Sequence, residues 1–226
     1  MLKFRYLAAT VITALSLAVA PLAQAGTDQQ NLVERARITV DDLRKDPEFG
    51  NARDLLKSAK GVMIVPSLVK GGFFVGGEGG NGMLMTRIGP TEWSHPAFYS
   101  LASASFGLQI GLEQSELILF VMSDRALNDF MSDEFKIGAQ AGLAIVTLGS
   151  MAEASMTSNL KPDIIVWSSS TGAYAGLTLN GSIIKPRDSW NEAYYGHPES
   201  VRNIISRHAV QNPGAAALRQ DLASLS

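Results

Sequence analysis

The sequence lacks cysteine, contains only three histidines, and carries no large excess of charge of either sign. Without cysteine there is no thiol nucleophile, no cysteine metal ligand and no lipid-modified cysteine of the kind that begins a mature bacterial lipoprotein. The formal net charge is −2, so the chain has no global positive field that would attract nucleic acid. A chain of 226 residues can nevertheless build a core without disulfides.

Motifs for catalysis and for metal binding are also missing. The histidines stand apart, at positions 95, 197 and 208, without a metal-binding spacing, and no G-x-S-x-G nucleophile motif is present. The segment Gly77-Glu-Gly-Gly-Asn-Gly82 matches G-x-G-x-x-G, but residues 83–87 continue as a predicted strand, where a dinucleotide site needs a helix. We therefore predict a protein that is not an enzyme and has no catalytic residue, metal or cofactor.

The first 25 residues have the pattern of a secretory signal peptide. Lys3 and Arg5 form a basic start, an apolar run extends from Leu7 to Ala20, and Ala23-Gln-Ala25 is typical of a cleavage site. A membrane anchor is the alternative, although the run is short for a span of about 20 residues. Cleavage would remove two cations and no acid, which takes the formal net charge from −2 to −4. We expect a periplasmic or secreted protein in which residues 26–226 form a single domain.

Two helices are predicted after this leader. Residues 28–45 place Leu32, Ala36, Val40 and Leu43 on one stripe, and a second helix is predicted from Glu48 to Ala59. Three cations lie at helical spacing along one side of the second helix: Arg53, Lys57 and Lys60. They form either an ordinary solvated face or a stripe that attracts an anionic membrane surface.

Strand patterns dominate the middle of the chain. Residues 62–65, 97–110, 117–122, 137–148 and 164–168 are apolar enough for strands, and we expect a glycine-rich hairpin whose arms, 71–76 and 83–87, are joined by residues 77–82. Asn180-Gly181 predicts a second tight hairpin, between residues 173–179 and 182–185. Trp93, Phe98, Tyr99 and Phe106 form an aromatic cluster that is either core or a lining for an acyl chain.

The end of the chain is predicted to be helical. Val201, Ile204, Ile205 and His208 share one helical face, and a last helix places Leu218, Leu222 and Leu225 on another. Ser123 is a candidate cap for a short helix from Asp124 to Met131. The order of elements predicts an α+β fold with a strongly bent, barrel-like antiparallel sheet and helices at the N- and C-terminal ends.

Several motifs, in this order, resemble the SYLF domain family. They span residues 30 to 210 and include Lys70-Gly-Gly-Phe73, Trp93-Ser-His-Pro-Ala-Phe-Tyr99, Phe106-Gly-Leu-Gln-Ile-Gly111, Phe135-Lys-Ile-Gly138, Gly172-Ala-Tyr-Ala-Gly-Leu177 and Tyr194-Tyr-Gly196. The resemblance implies a non-enzymatic domain that binds phosphoinositides or other acidic lipids and, in some members, actin filaments. It also implies binding through the basic and glycine-rich motifs, which here contain Lys60, Lys70 and Lys136. An exported bacterial protein would meet acidic phospholipid rather than actin or phosphoinositides.

The sequence therefore predicts an exported lipid-binding protein. Acidic phospholipid would contact Arg53, Lys57, Lys60, Lys70 and Lys136, with Phe73 or Phe74 against the acyl chains. The alternative is a structural or protein-interaction module of the envelope, in which the glycine-rich hairpin forms a sheet edge that pairs with another protein.

Overall fold

The computed structural model describes residues 20–47, 49–72, 75–106, 111–137, 145–148, 162–169 and 181–226. The helices are α1 (Ala20–Lys45), α2 (Phe49–Ser58), α3 (Asp124–Phe130), α4 (Asp188–Tyr195), α5 (Val201–Ile205) and α6 (Ala216–Leu225), with a 3-10 turn at Pro213–Ala215. The strands are β1 (Gly61–Gly72), β2 (Val75–Gly89), β3 (Glu92–Trp93), β4 (Ala97–Phe106), β5 (Gly111–Val121), β6 (Phe135–Lys136), β7 (Ile145–Thr147), β8 (Ile164–Ser168) and β9 (Ile183–Pro186).

These strands form one curled sheet. Their order is β6-β9-β4-β2-β1-β5-β8-β7, and β3 pairs with the end of β2. Each described pairing is antiparallel except that between β7 and β8. The sheet curves into a half-barrel with helices from both ends of the chain packed against it, which confirms the predicted fold class.

Both faces of the sheet are covered, because successive side chains of a strand point to opposite sides. On the face that we call the α1 face, Val62 and Ile64 pack with apolar residues of α1, α2, α4 and α6. On the opposite α3 face, Met63 and Val65 pack with apolar residues of α3 and α5. The predicted apolar run 62–65 is therefore buried on both sides, as expected for a central strand.

Strand β1 contains a bulge at Pro66, and the glycines of β2 fit around it. The register shifts between Ile64 and Ser67 against β2, at the point where proline cannot donate a ladder hydrogen bond. A Cβ atom on Gly80 would approach the carbonyl oxygen of Ser67 to 2.4 Å, and one on Gly82 would approach that of Ile64 to 2.7 Å. These two glycines are therefore required by the close approach of β1.

The predicted glycine-rich hairpin needs correction, and the second predicted hairpin lies partly outside the described residues. Residues 77–82 do not form a turn but lie inside β2, and β1 and β2 together form the hairpin, with Lys70 opposite Glu78. Around Gly181, the proposed partner segment 173–179 lies outside the described residues. Of the other predicted arm, Ile183 and Ile184 pair with β4 on one side and with β6 on the other. Gly181 does have the positive φ that the sequence predicts, at 89°.

The helices after β5 follow the sequence pattern more closely. Ser123 caps α3, where its hydroxyl accepts a 3.1 Å hydrogen bond from the Ala126 amide. Leu218, Leu222 and Leu225 of α6 are buried as predicted. His208 is the exception, because α5 ends at Ile205 and His208 lies beyond it with φ of 53°.

Candidate binding surface at the start of strand β1

The cations predicted on the second helix lie at the junction of α2 and β1. Helix α2 buries Ala52, Leu55 and Leu56, which leaves Arg53 and Lys57 exposed on its outer side. The predicted stripe required Lys60 to lie on this helix. The helix ends at Ser58, so that part of the prediction is wrong. Instead, the Lys60 amide donates a 2.8 Å hydrogen bond to the Val121 carbonyl, which fixes this lysine at the start of strand β1.

Two of these three cations form exposed ion pairs. Lys57 Nζ lies 3.0 Å from Asp54 Oδ1, and Lys60 Nζ lies 3.0 Å from Asp124 Oδ2. The carboxylate side chains are 77% and 74% exposed, and such pairs contribute little to stability because water screens them. Arg53 forms no ion pair with any other residue that the structure describes.

Arg87 lies on strand β2, next to the end of α2, and its side chain joins that helix to the sheet. Its guanidinium donates to the carbonyl oxygens of Leu56, Ala59 and Pro90. It also stacks on Trp93, 4.5 Å from the ring centroid. Burial lowers the pKa of the Arg87 guanidinium below its ordinary value. No carboxylate in the described ranges pairs with Arg87, whose positive charge faces carbonyl dipoles, the Trp93 ring and the Ser226 hydroxyl, which accepts at 3.5 Å.

An open cleft of about 490 Å³ adjoins these residues. Lys60 and Arg87 lie on its α2 side, Ile88 at the end of β2, Leu127 and Met131 along α3, and His208 after α5. The cleft and the cations of α2 therefore occupy the same end of the molecule, where β1 begins.

Lys70 lies at the other end of the same strand, about 30 Å from Lys60 at the rise of an extended chain. Its Nζ is 3.2 Å from Glu78 Oε1, with the two side chains only 14% and 2% exposed. That oxygen has no well-aligned hydrogen bond, so the contact is an ion pair by distance alone. The structure thus places Lys70 away from the α2 cations and turns it toward an acid.

The remaining predicted contacts are also separate from the α2 surface. Lys136 lies on the short strand β6, where Glu134 contacts both Lys136 at 3.3 Å and Lys185 at 2.6 Å. Phe73 and Phe74 lie outside the described residues. The structure therefore places Arg53 and Lys57 on the exposed side of α2 and Lys60 just beyond its end, and it does not join Lys70 or Lys136 to them.

The aromatic cluster belongs to the core. Trp93, Phe98 and Tyr99 are buried, and the Tyr99 hydroxyl donates to the Phe130 carbonyl at 2.8 Å. The side chain of Phe106 is outside the description. For the three described rings, core packing is therefore the better interpretation than a lining for an acyl chain.

His95 has a structural position near this end. Its Nδ1 accepts from the Asn212 amide at 3.3 Å, and its Nε2 lies 3.4 Å from a guanidinium nitrogen of Arg219. Burial and the neighbouring Arg219 charge lower the pKa of His95 from 6.5 to about 4. The described residues contain no cluster of acids and histidines that could hold a metal ion, and none of the described helices combines the length and apolarity of a membrane span.

Sequence reasoning missed Arg87 and misplaced His208. Nothing in the sequence around Arg87 distinguishes it from a surface arginine at a strand end. For His208, the following Gln211-Asn-Pro-Gly214 was a sign that the helix had already ended, since asparagine and proline favour turns.

Comparison with known proteins gives a consistent family relationship. The sequence profile described as "Ysc84: Las17-binding protein actin regulator" matches residues 102–225. Protein YSC84 of Saccharomyces cerevisiae is 28% identical over 173 residues, which cover 75% of this chain and 37% of the yeast protein. The human SH3 domain-containing YSC84-like protein 1 is 30% identical over 153 residues, covering 67% of this chain and 44% of that protein.

A second yeast protein, LAS seventeen-binding protein 3, is 28% identical over 156 residues, or 68% of this chain and 34% of its own length. The chain thus spans less than half the length of the curated relatives that it matches. Because the family profile covers more than half of the sequence and the relatives cover more of it still, the chain belongs to the Ysc84 (SYLF) family.

Proposed function

We propose that this protein is a non-enzymatic binding module that associates with acidic phospholipid of the cell envelope. The observation that carries the proposal is the exposed group formed by Arg53, Lys57 and Lys60 at the α2–β1 junction. We further propose that residues 1–25 are a signal peptide cleaved after Ala25, which would bring the domain to the periplasm or the exterior.

The charges of this surface favour a weak and reversible association. Asp54 and Asp124 are well hydrated, so an anionic membrane can compete with them for Lys57 and Lys60 at little cost. Each cation near an anionic surface contributes about 1 kcal/mol, so three contribute about 3 kcal/mol. Lys70 adds nothing to this attraction while it is paired with the buried Glu78.

Vesicle sedimentation tests the membrane proposal. Arg53→Glu/Lys57→Glu should lose binding to vesicles that contain an anionic phospholipid, and added salt should weaken binding of the parent, because exposed charges are screened beyond about 8–10 Å. Lys136→Glu/Lys185→Glu is the matched control, since it makes the same change of net charge around strands β6 and β9. If both variants lost binding equally, overall charge rather than the α2 surface would cause the attraction.

Cleavage is tested separately by the intact mass of the exported protein. We expect a product that begins at Gly26. A product that retains Lys3 and Arg5 and sediments with the membrane would favour the anchor instead.

One observation favours a second candidate, a protein-interaction module. Toward the glycine-rich end, the α1 face carries an exposed row across four strands: Gln114, Val69, Gly79 and Ala102. Val69 is 43% exposed. The family description and the name of one yeast relative refer to Las17 binding, which is also consistent with a protein partner. The sequence predicts that the glycine-rich hairpin is a sheet edge that pairs with another protein. That prediction is wrong, because β1 lies between β2 and β5, and β2 lies between β1 and β4.

A photo-crosslinking residue at position 69 would test the second candidate. We expect one discrete protein adduct from position 69 and none from position 38, where Ile38 is exposed on α1. Equal labelling at both positions would speak against a specific interface.

A further inference from the structure

The cleft at the start of β1 contains more positive than negative charge. Lys60, Arg87 and His208 line it, and Asp124 is the acid among its lining residues. Asp124 is already paired with Lys60, while Arg87 has no carboxylate partner among the described residues. The cleft therefore has more cationic than anionic groups in its wall, and the guanidinium of Arg87 is itself partly removed from water.

His208 reaches this cleft from an unfavourable backbone conformation. Among the non-glycine residues that the structure describes, His208 alone has a positive φ, which is 53°. It follows the end of α5, where the Ala209 amide donates to the Asn203 carbonyl at 3.0 Å and closes the helix. Glycine is the usual residue at such a helix end because its positive φ carries no strain. A histidine kept there, exposed and lining a cleft, indicates a use for its side chain.

The other side of the cleft is apolar. Ile88 is 41% exposed, which makes it one of three large hydrophobic side chains exposed in the described ranges. Leu127 and Met131 pack only partly against the α3-face core and leave the rest of their surface toward the cleft. A cationic side and an apolar side therefore meet in one cleft, whose volume of about 490 Å³ lies in the range of small-molecule sites.

We propose that this cleft binds a single-chain amphiphilic anion, that is, a carboxylate or phosphate group joined to a short alkyl chain. Lys60 and His208 would donate hydrogen bonds to the anionic group, and Arg87 would add its fixed positive charge from the wall. The alkyl chain would lie against Ile88, Leu127 and Met131. This is a site for one soluble ligand molecule, and it does not depend on association of the α2 surface with a membrane.

Titration with decanoate, below its micelle concentration, tests the site in the full-length mature protein. Binding should saturate at one molecule per chain and shift the methyl NMR signals of Ile88, Leu127 and Met131. Decyltrimethylammonium, with the same chain and the opposite charge, should not saturate. Decyl phosphate compared with decanoate distinguishes the two anionic groups; if neither produced saturable shifts in these methyl groups, the proposal would be overturned.

Two variants separate binding from folding. Lys60→Gln should weaken decanoate binding by about tenfold, the loss that corresponds to one charge-assisted hydrogen bond. His208→Gly should weaken it as well, yet leave the thermal midpoint unchanged or higher, since glycine suits this φ. Lys57→Gln is the control outside the cleft and should bind as the parent does. Parent-like affinity in both Lys60→Gln and His208→Gly would contradict the assignment.

The outcome is also independent of the membrane proposal. Arg53→Glu/Lys57→Glu should lose vesicle binding and keep decanoate binding. Ile88→Asn should do the reverse, because it removes apolar surface from the cleft and no charge from α2. If Ile88→Asn bound decanoate like the parent, the alkyl chain would not lie where we place it.

Discussion

Lys60 and Lys70 stand at the two ends of strand β1, and their surroundings are opposite. Lys60 is 45% exposed and faces Asp124, a hydrated acid at the rim of a cleft. Lys70 is 14% exposed and faces Glu78, which is almost completely buried. Two lysines that look equivalent in the sequence therefore differ in role: one is available to a ligand, and the other is tied to the fold.

The largest effect that we expect tests this difference directly. Lys70→Met should lower the free energy of unfolding by about 3 kcal/mol, because it leaves Glu78 charged and buried without its partner. Lys60→Met should change it by less than about 1 kcal/mol, because Asp124 remains hydrated. Urea denaturation of the two variants measures both values.

A double variant sharpens the test. Lys70→Met/Glu78→Met should recover most of the loss, since a buried ion pair can be replaced by apolar groups at little cost. If Lys70→Met were as mild as Lys60→Met, the two ends of β1 would not differ as described.

The next effect concerns the glycines of β2 near Lys70. Gly80→Ala should cost about 3 kcal/mol, because its Cβ would meet the Ser67 carbonyl at 2.4 Å and the backbone must move. Gly79→Ala is the neighbouring control, with its nearest atom at 3.8 Å, and should be neutral or slightly stabilising. Thermal denaturation of both variants decides whether glycine is required on only one face of the strand.

Acid should act at the Lys60 end, through His95. The folded pKa of His95 is about 4 and its ordinary value is 6.5, so the unfolded chain binds the proton first as pH falls. Above pH 6.5 the imidazole is neutral in both states and has no effect; between 6.5 and 4 it lowers stability progressively. We expect a loss on the order of 1–2 kcal/mol, since the ring keeps part of its hydration.

Comparison of the parent with His95→Asn measures this contribution. The asparagine should remain able to accept from the Asn212 amide, and it cannot be protonated in this range. Its denaturation midpoint should therefore fall less than that of the parent between pH 7 and pH 4.5. Identical slopes would show that carboxylates alone cause the acid sensitivity.

The smallest effect is expected at Gly181, before β9 at the glycine-rich end. Its φ of 89° suits glycine, so Gly181→Val should cost about 1 kcal/mol or slightly more. Gly181→Asn should be milder, because asparagine tolerates positive φ better than other residues. A thermal midpoint for Gly181→Val equal to that of the parent would mean that the loop relaxes around the larger side chain.

Local patterns in the sequence were enough for the elements that depend on local rules. Ser123 has the type and position of a helix cap, and the run from Leu117 to Val121 has the composition of a buried strand. The glycine-rich segment was misinterpreted as a turn because the need for Gly80 and Gly82 arises from carbonyl oxygens of another strand. A single sequence does not reveal such a contact.

The candidate surface was predictable only in part. Arg53 and Lys57 follow from helical spacing, and the structure places them as expected on the exposed side of α2. The low exposure of Lys70 goes with its pairing to Glu78, which becomes visible only when β1 is known to end at Gly72 and β2 to begin at Val75. Arg87 and His208 join the cleft through tertiary packing, and their spacing in the sequence gave no sign of it.

The bulge at Pro66 explains why the side chain of Lys70 is largely covered. Before the bulge, Met63 and Val65 point to the α3 face; after it, Leu68 does, so the alternation has changed from odd to even positions. Without that extra residue, Val69 would point to the α3 face and Lys70 to the α1 face. One inserted residue thus reverses the alternation of side chains in the rest of the strand, and it decides which of two neighbouring side chains meets solvent. In a sheet of this kind, a change of function can therefore come from a one-residue insertion or deletion with no change in the residues themselves.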